Sequence, residues 1–205
     1  SSGLADDTLF IFTSDNGSHW PVSDVRRWGH AANLGWRGQK ADIHEAGHRV
    51  PMLARWPGVI EPGITIEETV CLTDLYATSI AAADGSAASR VPGPGHGGED
   101  SIDLVPLLAE GDTTPLSGRA GIVHHSLDGM FAIRVGDWKL IEGLGSGGFT
   151  SPKRRTAEAG EAEVQLYDLA TDPRETENIA ARHPEEVARL QAILDRIRAD
   201  DGTGR

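Results

Sequence analysis

Two styles of strand signal in one chain predict an α/β protein whose later part is a small antiparallel sheet closed by a helix. Residues 9–12 form a short apolar run, Leu-Phe-Ile-Phe, with no alternation of apolar and polar positions. Such a run suits a strand buried on both faces, as in a largely parallel sheet covered by helices. Between residues 120 and 169 the style changes to four short runs, GIVHHS, MFAIRVG, DWKLIEG and EVQLYDL, separated by turn-forming residues. A final stretch, 183–200, spaces Val187, Leu190, Ile193, Leu194 and Ile197 along one helical face. Residues 1–110 are therefore read as the edge of a parallel α/β sheet, and 111–205 as an antiparallel subdomain with helix 183–200.

The elements follow in order. After the first strand comes a polar loop over 18–33, rich in Trp and His, and then a second core strand over 50–56, closed by the turn Pro57-Gly58. Residues 72–83 read as a helix with Thr73 at its N-cap and Gly85 just past its end. The stretch 84–100, dominated by Gly, Pro, Ser and Ala, is too long for a simple turn. One or two helical turns are expected over 103–109. In the second part Gly136-Asp137 suits a hairpin between the second and third strands, and 144–162 reads as a charged loop. Trp138 and Lys139 are expected to be structural, the Trp covering the small sheet.

Composition narrows the function classes. The 205 residues are 39% hydrophobic and 24% charged, ordinary for a folded chain with a sizeable core. With 19 basic against 31 acidic residues the net charge is -12, which disfavours nonspecific attraction to nucleic acid or anionic lipid. No apolar stretch is long enough to span a bilayer. The first residues lack the order of a signal peptide, and 4–7 read like the end of a helix-to-strand connection, so a preceding segment is expected. Cys71 is the single cysteine, which excludes an internal disulfide. Its apolar setting, VCLTDLYATSI, suits a small buried hydrophobe better than a reactive thiol.

The first strand runs straight into Ser14-Asp15-Asn16-Gly17. Asp-Asn-Gly suits a turn. It equally offers a carboxylate and an amide oxygen, both hard donors suited to Ca²⁺ or Mg²⁺, where ligands gather at the carboxyl end of a strand. Two adjacent side chains cannot complete a sphere of roughly 6 to 8 oxygens, so further donors must come from elsewhere. The loop WRGQK, ending at Lys40, and the segment AGHRVP that follows it suit either an anion site or plain basic surface. In combination with Asp15 and Asn16, Lys40 predicts a place where a metal and an ammonium share one anionic group. His124 and His125 are adjacent on a predicted strand, so at most one of them faces a pocket. His19, Trp20 and His30 are candidate rim residues.

Five blocks, TLFIFTSDNG, WRGQKADIHEAGHRVPMLARWPG, LTDLYATSIAAA, FAIRVGDWKLI and QLYDLATDPRETENIAARHPEEVARL, together resemble the carboxyl-terminal half of sulfatases of the arylsulfatase type. The resemblance implies a partial alkaline-phosphatase-like α/β sandwich followed by a small antiparallel sheet. It implies that Asp15 and Asn16 are Ca²⁺ ligands and that Lys40 contacts the sulfate group. It further implies a formylglycine nucleophile made from Cys-x-Pro-Ser-Arg or Cys-x-Ala-Ser-Arg. Cys71, in CLTDL, does not match that motif, so the nucleophile, two aspartate ligands and further sulfate contacts are expected upstream of Ser1. Any localisation signal would lie there too, a secreted or periplasmic enzyme being the family expectation.

His44 and Ala46 stand where this branch usually has Trp and Gly, which makes His44 a candidate substrate contact together with His19, His124 and His125. The expected partners are a sulfated small molecule or glycan and the remaining half of the enzyme. A phosphate- or phosphonate-ester hydrolase of the same superfamily, or a noncatalytic glycan-binding module, are the alternative readings. The residue standing as nucleophile separates the two enzymes, and sulfate-dependent binding with no turnover marks the module.

Overall fold

The computed structural model describes residues 3–84, 98–111 and 118–199. By contacts the chain divides into two units. One takes Ser1–Thr13, Pro51–Ala120 and Ile197–Arg205; the other takes Ser14–Val50 and Gly121–Arg196.

In the first unit, β1 (Phe10–Thr13) pairs with β2 (Met52–Arg55), with Phe12 opposite Leu53 and Phe10 opposite Arg55. The pair is antiparallel. This corrects the expected parallel pairing at this edge, while the mixed α/β class stands. The expected burial on both faces is also not met among the described residues: Phe10, Phe12 and Leu53 are exposed on one face, and Ile11 is half-buried on the other. Absence of alternation records that both faces are apolar; what covers each face depends on the neighbouring elements.

The expected helix over 72–83 is α3 (Asp74–Asp84). Its fixed point is the fully buried Asp74, whose carboxylate accepts from Cys71 N at 2.8 Å and Ile102 N at 3.0 Å and pairs with Arg119. Thr73 stands just before the helix, and it is the Asp74 side chain that reaches back to the preceding turn. Cys71 is a free, half-buried thiol there. Further along α3, Ala77 N donates to Ser101 Oγ and Thr78 Oγ accepts from Leu104 N, which ties the helix to the segment entering α4 (Val105–Glu110). Leu104, Leu107 and Leu108 make the core of this unit with Met52, Ala54, Ile60, Ile66 and Val70 against them. Gly85 and most of the predicted loop 84–100 lie outside the described residues.

In the second unit β3 (Ile122–His125), β4 (Phe131–Val135), β5 (Trp138–Ile141) and β6 (Gln165–Asp168) form one antiparallel sheet in chain order. All four strands fall on the predicted runs. Gly136, at φ 58, takes the left-handed turn that the β4–β5 hairpin needs. Ile43 joins Met130, Ala132, Ile141, Tyr167 and Leu169 in the core. The closing helix is α5 (Pro184–Ala199), with Leu190 and Leu194 fully buried, and the Trp138 ring lies against His183 with centroids 5.7 Å apart. Two elements lie in the stretches read as loop. One is α1 (Val22–Trp28), closed by Gly29 in the left-handed region; the other is the single turn α2 (Glu45–His48).

Candidate functional site

The segment 15–18 lies against the loop 38–47, and glycine makes this approach feasible. Gly17 N donates to Gly47 O at 3.0 Å, and Lys40 N donates to Ser18 O at 3.1 Å. A Cβ on Gly17 would sit 1.7 Å from the Ala46 carbonyl oxygen, and one on Gly47 would sit 2.1 Å from that of Asp42. Both positions therefore accept only glycine, so the glycine after Asp15-Asn16 serves close backbone contact. Asp15, Asn16, His19 and Lys40 are thereby carried by two strips of backbone hydrogen-bonded to one another.

Their side chains remain available. Asp15 is exposed, and among the described residues its side chain accepts one hydrogen bond, from Ser14 Oγ at 3.5 Å. Asn16 Nδ2 donates to Gly17 O at 3.0 Å, which leaves Oδ1 with no protein donor among the described residues. Lys40 is exposed, and its Nζ makes no ion pair or hydrogen bond among them. The donor types at Asp15 and Asn16 fit a hard cation. Their number does not complete a cage, since no group of three or more His, Cys, Asp or Glu among the described residues is placed to hold a metal.

Beneath this surface, Asp42 fixes the loop. It is fully buried, and its carboxylate accepts from Gln39 N at 3.0 Å, Phe149 N at 2.7 Å, Thr150 N at 3.0 Å and the Thr150 hydroxyl. Three residues on, at Glu45, begins a second network. Lys139, fully buried on β5, places Nζ 3.0 Å from Glu45 Oε1 and 2.9 Å from Glu175 Oε1. Arg134 and Arg49 also reach Glu45, at 3.3 and 3.1 Å, and Glu175 Oε2 accepts from Glu45 N at 2.7 Å. Burial pushes the Glu45 carboxyl upward, but Lys139, Arg134 and Arg49 outweigh it and hold the group below the usual range. At Glu175 burial prevails over Lys139 and the pKa is raised.

The candidate histidines separate. His19 is exposed, its ring edge-on to Phe149 with centroids 5.3 Å apart. His44, expected at a pocket mouth, is instead 2% exposed: Nε2 meets Gln165 Oε1 at 3.3 Å and the ring packs on Tyr167. Its backbone opens α2, whose three following residues are buried, so the side chain is drawn inward with them. Burial, with Arg37 and Lys139 nearby, lowers its pKa to about 3, a neutral ring. His124 also points inward, its ring tilted against that of His48 with centroids 4.2 Å apart, and the Nε2 of each ring is buried without a protein partner among the described residues. His125 faces outward, with Nδ1 2.8 Å from Ser126 O, as two neighbours on a strand must. Trp20 and His30 pack on each other at 5.5 Å, Trp20 half-buried and His30 exposed.

The family comparisons agree with this frame. The family model described as Sulfatase matches residues 1–86. The N-acetylgalactosamine-6-O-sulfatase of Bacteroides thetaiotaomicron is 32% identical over 203 residues, covering 95% of this chain and 37% of that protein. Human arylsulfatase A is 32% identical over 203 residues, covering 93% of this chain and 38% of its own length. Among solved structures, one from work on glycosaminoglycan metabolism by Bacteroides thetaiotaomicron superposes with a TM-score of 0.75 at 33% identity, covering 96% of this chain and 40% of that one.

The chain belongs to the sulfatase family. It matches a carboxyl-terminal portion of sulfatases and spans less than half the length of these relatives. A further sulfatase-fold neighbour, solved with its substrate D-glucosamine-2-N,6-O-disulfate, has a TM-score of 0.66 at 23% identity and supports the fold.

Within the sulfatase frame, Asp42, Glu45, Gln165 and Glu175 are the positions that sequence reasoning passed over. Each is a polar residue whose partner lies far along the chain, such as Lys139, 94 residues from Glu45. The one local signal was Lys139 itself, a cation between the apolar Trp138 and Leu140 in a strand run.

Proposed function

We propose that this chain contributes the cation- and sulfate-binding part of a sulfate-ester hydrolase. The observation carrying this reading is the exposed Lys40 ammonium, without a partner among the described residues, on a loop hydrogen-bonded to the strip that bears Asp15 and Asn16. Its loop is held by a fully buried carboxylate, so the backbone that carries the charge is fixed before any ligand arrives. The carboxylate of Asp15 and the Oδ1 of Asn16 would supply two oxygen ligands to Ca²⁺, the remainder coming from outside these residues. Ca²⁺ in that position supplies a fixed positive charge for a sulfuryl oxygen. Lys40 offsets negative charge that grows on the ester and leaving-group oxygens as the S–O bond breaks. The formylglycine that would serve as nucleophile has no counterpart here, Cys71 standing half-buried before α3 in the other unit.

Similarity to the N-acetylgalactosamine-6-O-sulfatase supports a sulfated sugar as substrate, and similarity to arylsulfatase A supports an aryl sulfate. Calorimetric titration of the purified chain tests the reading. Sulfated glycan should bind at least tenfold more tightly than its unsulfated counterpart, and Lys40→Ala should erase that preference. Ca²⁺ alone should bind weakly, with Kd of about 1 mM or above, because two donors do little to offset dehydration of the ion. Retention of the sulfate preference in Lys40→Ala overturns the assignment of Lys40. Turnover of an aryl sulfate by the chain alone overturns the placement of the nucleophile elsewhere.

A further inference from the structure

The loop that carries Lys40 is tied to a segment bearing an aromatic residue, Phe149, that neither the family motifs nor the sequence patterns single out. Phe149 is 43% exposed although its backbone N–H is held by the fully buried carboxylate of Asp42. Its N–H and that of Thr150 both donate to Asp42 Oδ1, while Asp42 Oδ2 accepts from Gln39 N, the residue before Lys40. Gly148 brings the two loops into backbone contact, since a Cβ there would lie 2.3 Å from Ala41 O. On the other side His19 follows Ser18, whose carbonyl accepts from Lys40 N, and its ring meets Phe149 edge-on at 5.3 Å. One buried carboxylate and one backbone hydrogen bond thus set Phe149 and His19 at fixed positions around the base of Lys40.

An exposed phenyl ring on a rigid backbone presents a flat apolar face that loses little entropy when something packs on it. On a segment hydrogen-bonded to the loop that carries Lys40, whose ammonium has no partner among the described residues, that face suits a ligand with an apolar ring surface next to an anionic group. We infer that Phe149, held edge-on by His19, is a specificity-determining residue that packs against the ring carrying the sulfate ester while Lys40 takes the sulfate itself. This rests on the sulfatase reading above and extends it from the anion to the body of the substrate. The ring is either a pyranose or a phenyl, both of which offer a flat apolar face.

Titration of the 205-residue chain with inorganic sulfate, galactose 6-sulfate and phenyl sulfate, followed by NMR, tests the inference. The esters should bind more tightly than sulfate and shift the Phe149 ring signals. Phe149→Ala should weaken ester binding roughly three- to tenfold, with sulfate unchanged, and Phe149→Tyr should restore it. The ester that loses more on Phe149→Ala identifies the ring. Equal affinity for ester and sulfate, or equal weakening of both by Phe149→Ala, overturns the role of Phe149 and leaves Lys40 standing. Failure of sulfate to bind, or sulfate binding indifferent to Lys40→Ala, overturns the underlying reading and this inference with it.

Discussion

Replacing Lys139 by methionine tests the buried network most severely. In the wild type its ammonium, with no exposure to solvent, lies 3.0 Å from Glu45 and 2.9 Å from Glu175. Methionine fills much of the same volume, so the loss is one of charge and hydrogen bonding. Glu45 keeps Arg134 at 3.3 Å and Arg49 at 3.1 Å. Among the described residues the Glu175 carboxylate keeps only the backbone N–H of Glu45 and becomes a buried carboxylate without a paired cation. Removing one partner of a buried pair costs about 3–5 kcal/mol. With a urea dependence of about 2 kcal/mol per molar, the midpoint should fall by roughly 1.5–2.5 M.

The assay is urea unfolding followed by tryptophan fluorescence at pH 7 and again at pH 5. The Glu175 pKa is already raised by burial, and loss of Lys139 raises it further. A carboxyl whose folded pKa lies above its unfolded value stabilises at low pH and loses that stabilisation as pH rises through the folded pKa. The variant should therefore recover much of its deficit at pH 5, and Lys139→Met with Glu175→Gln should be more stable than Lys139→Met alone at pH 7. A deficit below about 1 kcal/mol, or one unchanged between the two pH values, would refute the argument.

Three further outcomes are expected. Gly17→Ala drives a methyl into the Ala46 carbonyl and should cost roughly 1–3 kcal/mol, with faster amide exchange at Gly17, measurable by NMR. Ala41→Gly should stabilise by about 1 kcal/mol in thermal unfolding, because Ala41 holds φ 80, a conformation costly for any side chain. Burial, with Lys139 nearby, lowers the His48 pKa from 6.5 to about 4, so its neutral ring stabilises above pH 6.5 and the contribution is lost as pH falls toward 4. His48→Phe should accordingly flatten the acid limb of a stability-pH profile, by about 3 kcal/mol at most.

Most of the second unit was legible in the sequence, for reasons visible in particular residues. The runs around Val123, Ile133, Leu140 and Leu166 are bounded by Gly, Asp and Ser, and Gly136-Asp137 permits little besides a tight hairpin. The spacing of Leu190 and Leu194 places both on the buried face of α5. Asp15, Asn16, His19 and Lys40 were singled out from the sequence, and the structure carries them on two backbone strips hydrogen-bonded to one another. His44 was misjudged, because an imidazole in a polar loop carries no mark of the Gln165 and Tyr167 that receive it. Pairing direction at β1 was misjudged too, since an apolar run is silent about its neighbour.

By itself the sequence determined what depends on nearest neighbours in the chain: strand and helix periods, turn positions, and which short polar motifs present hard oxygens and an ammonium. Tertiary structure alone decided which charges meet in the interior. Asp42 with Phe149, and Glu45 with Lys139 and Glu175, are joined across about half the chain or more. The physical reason is that a buried charge is tolerable only beside a partner, and the partner's identity is set by how distant segments pack.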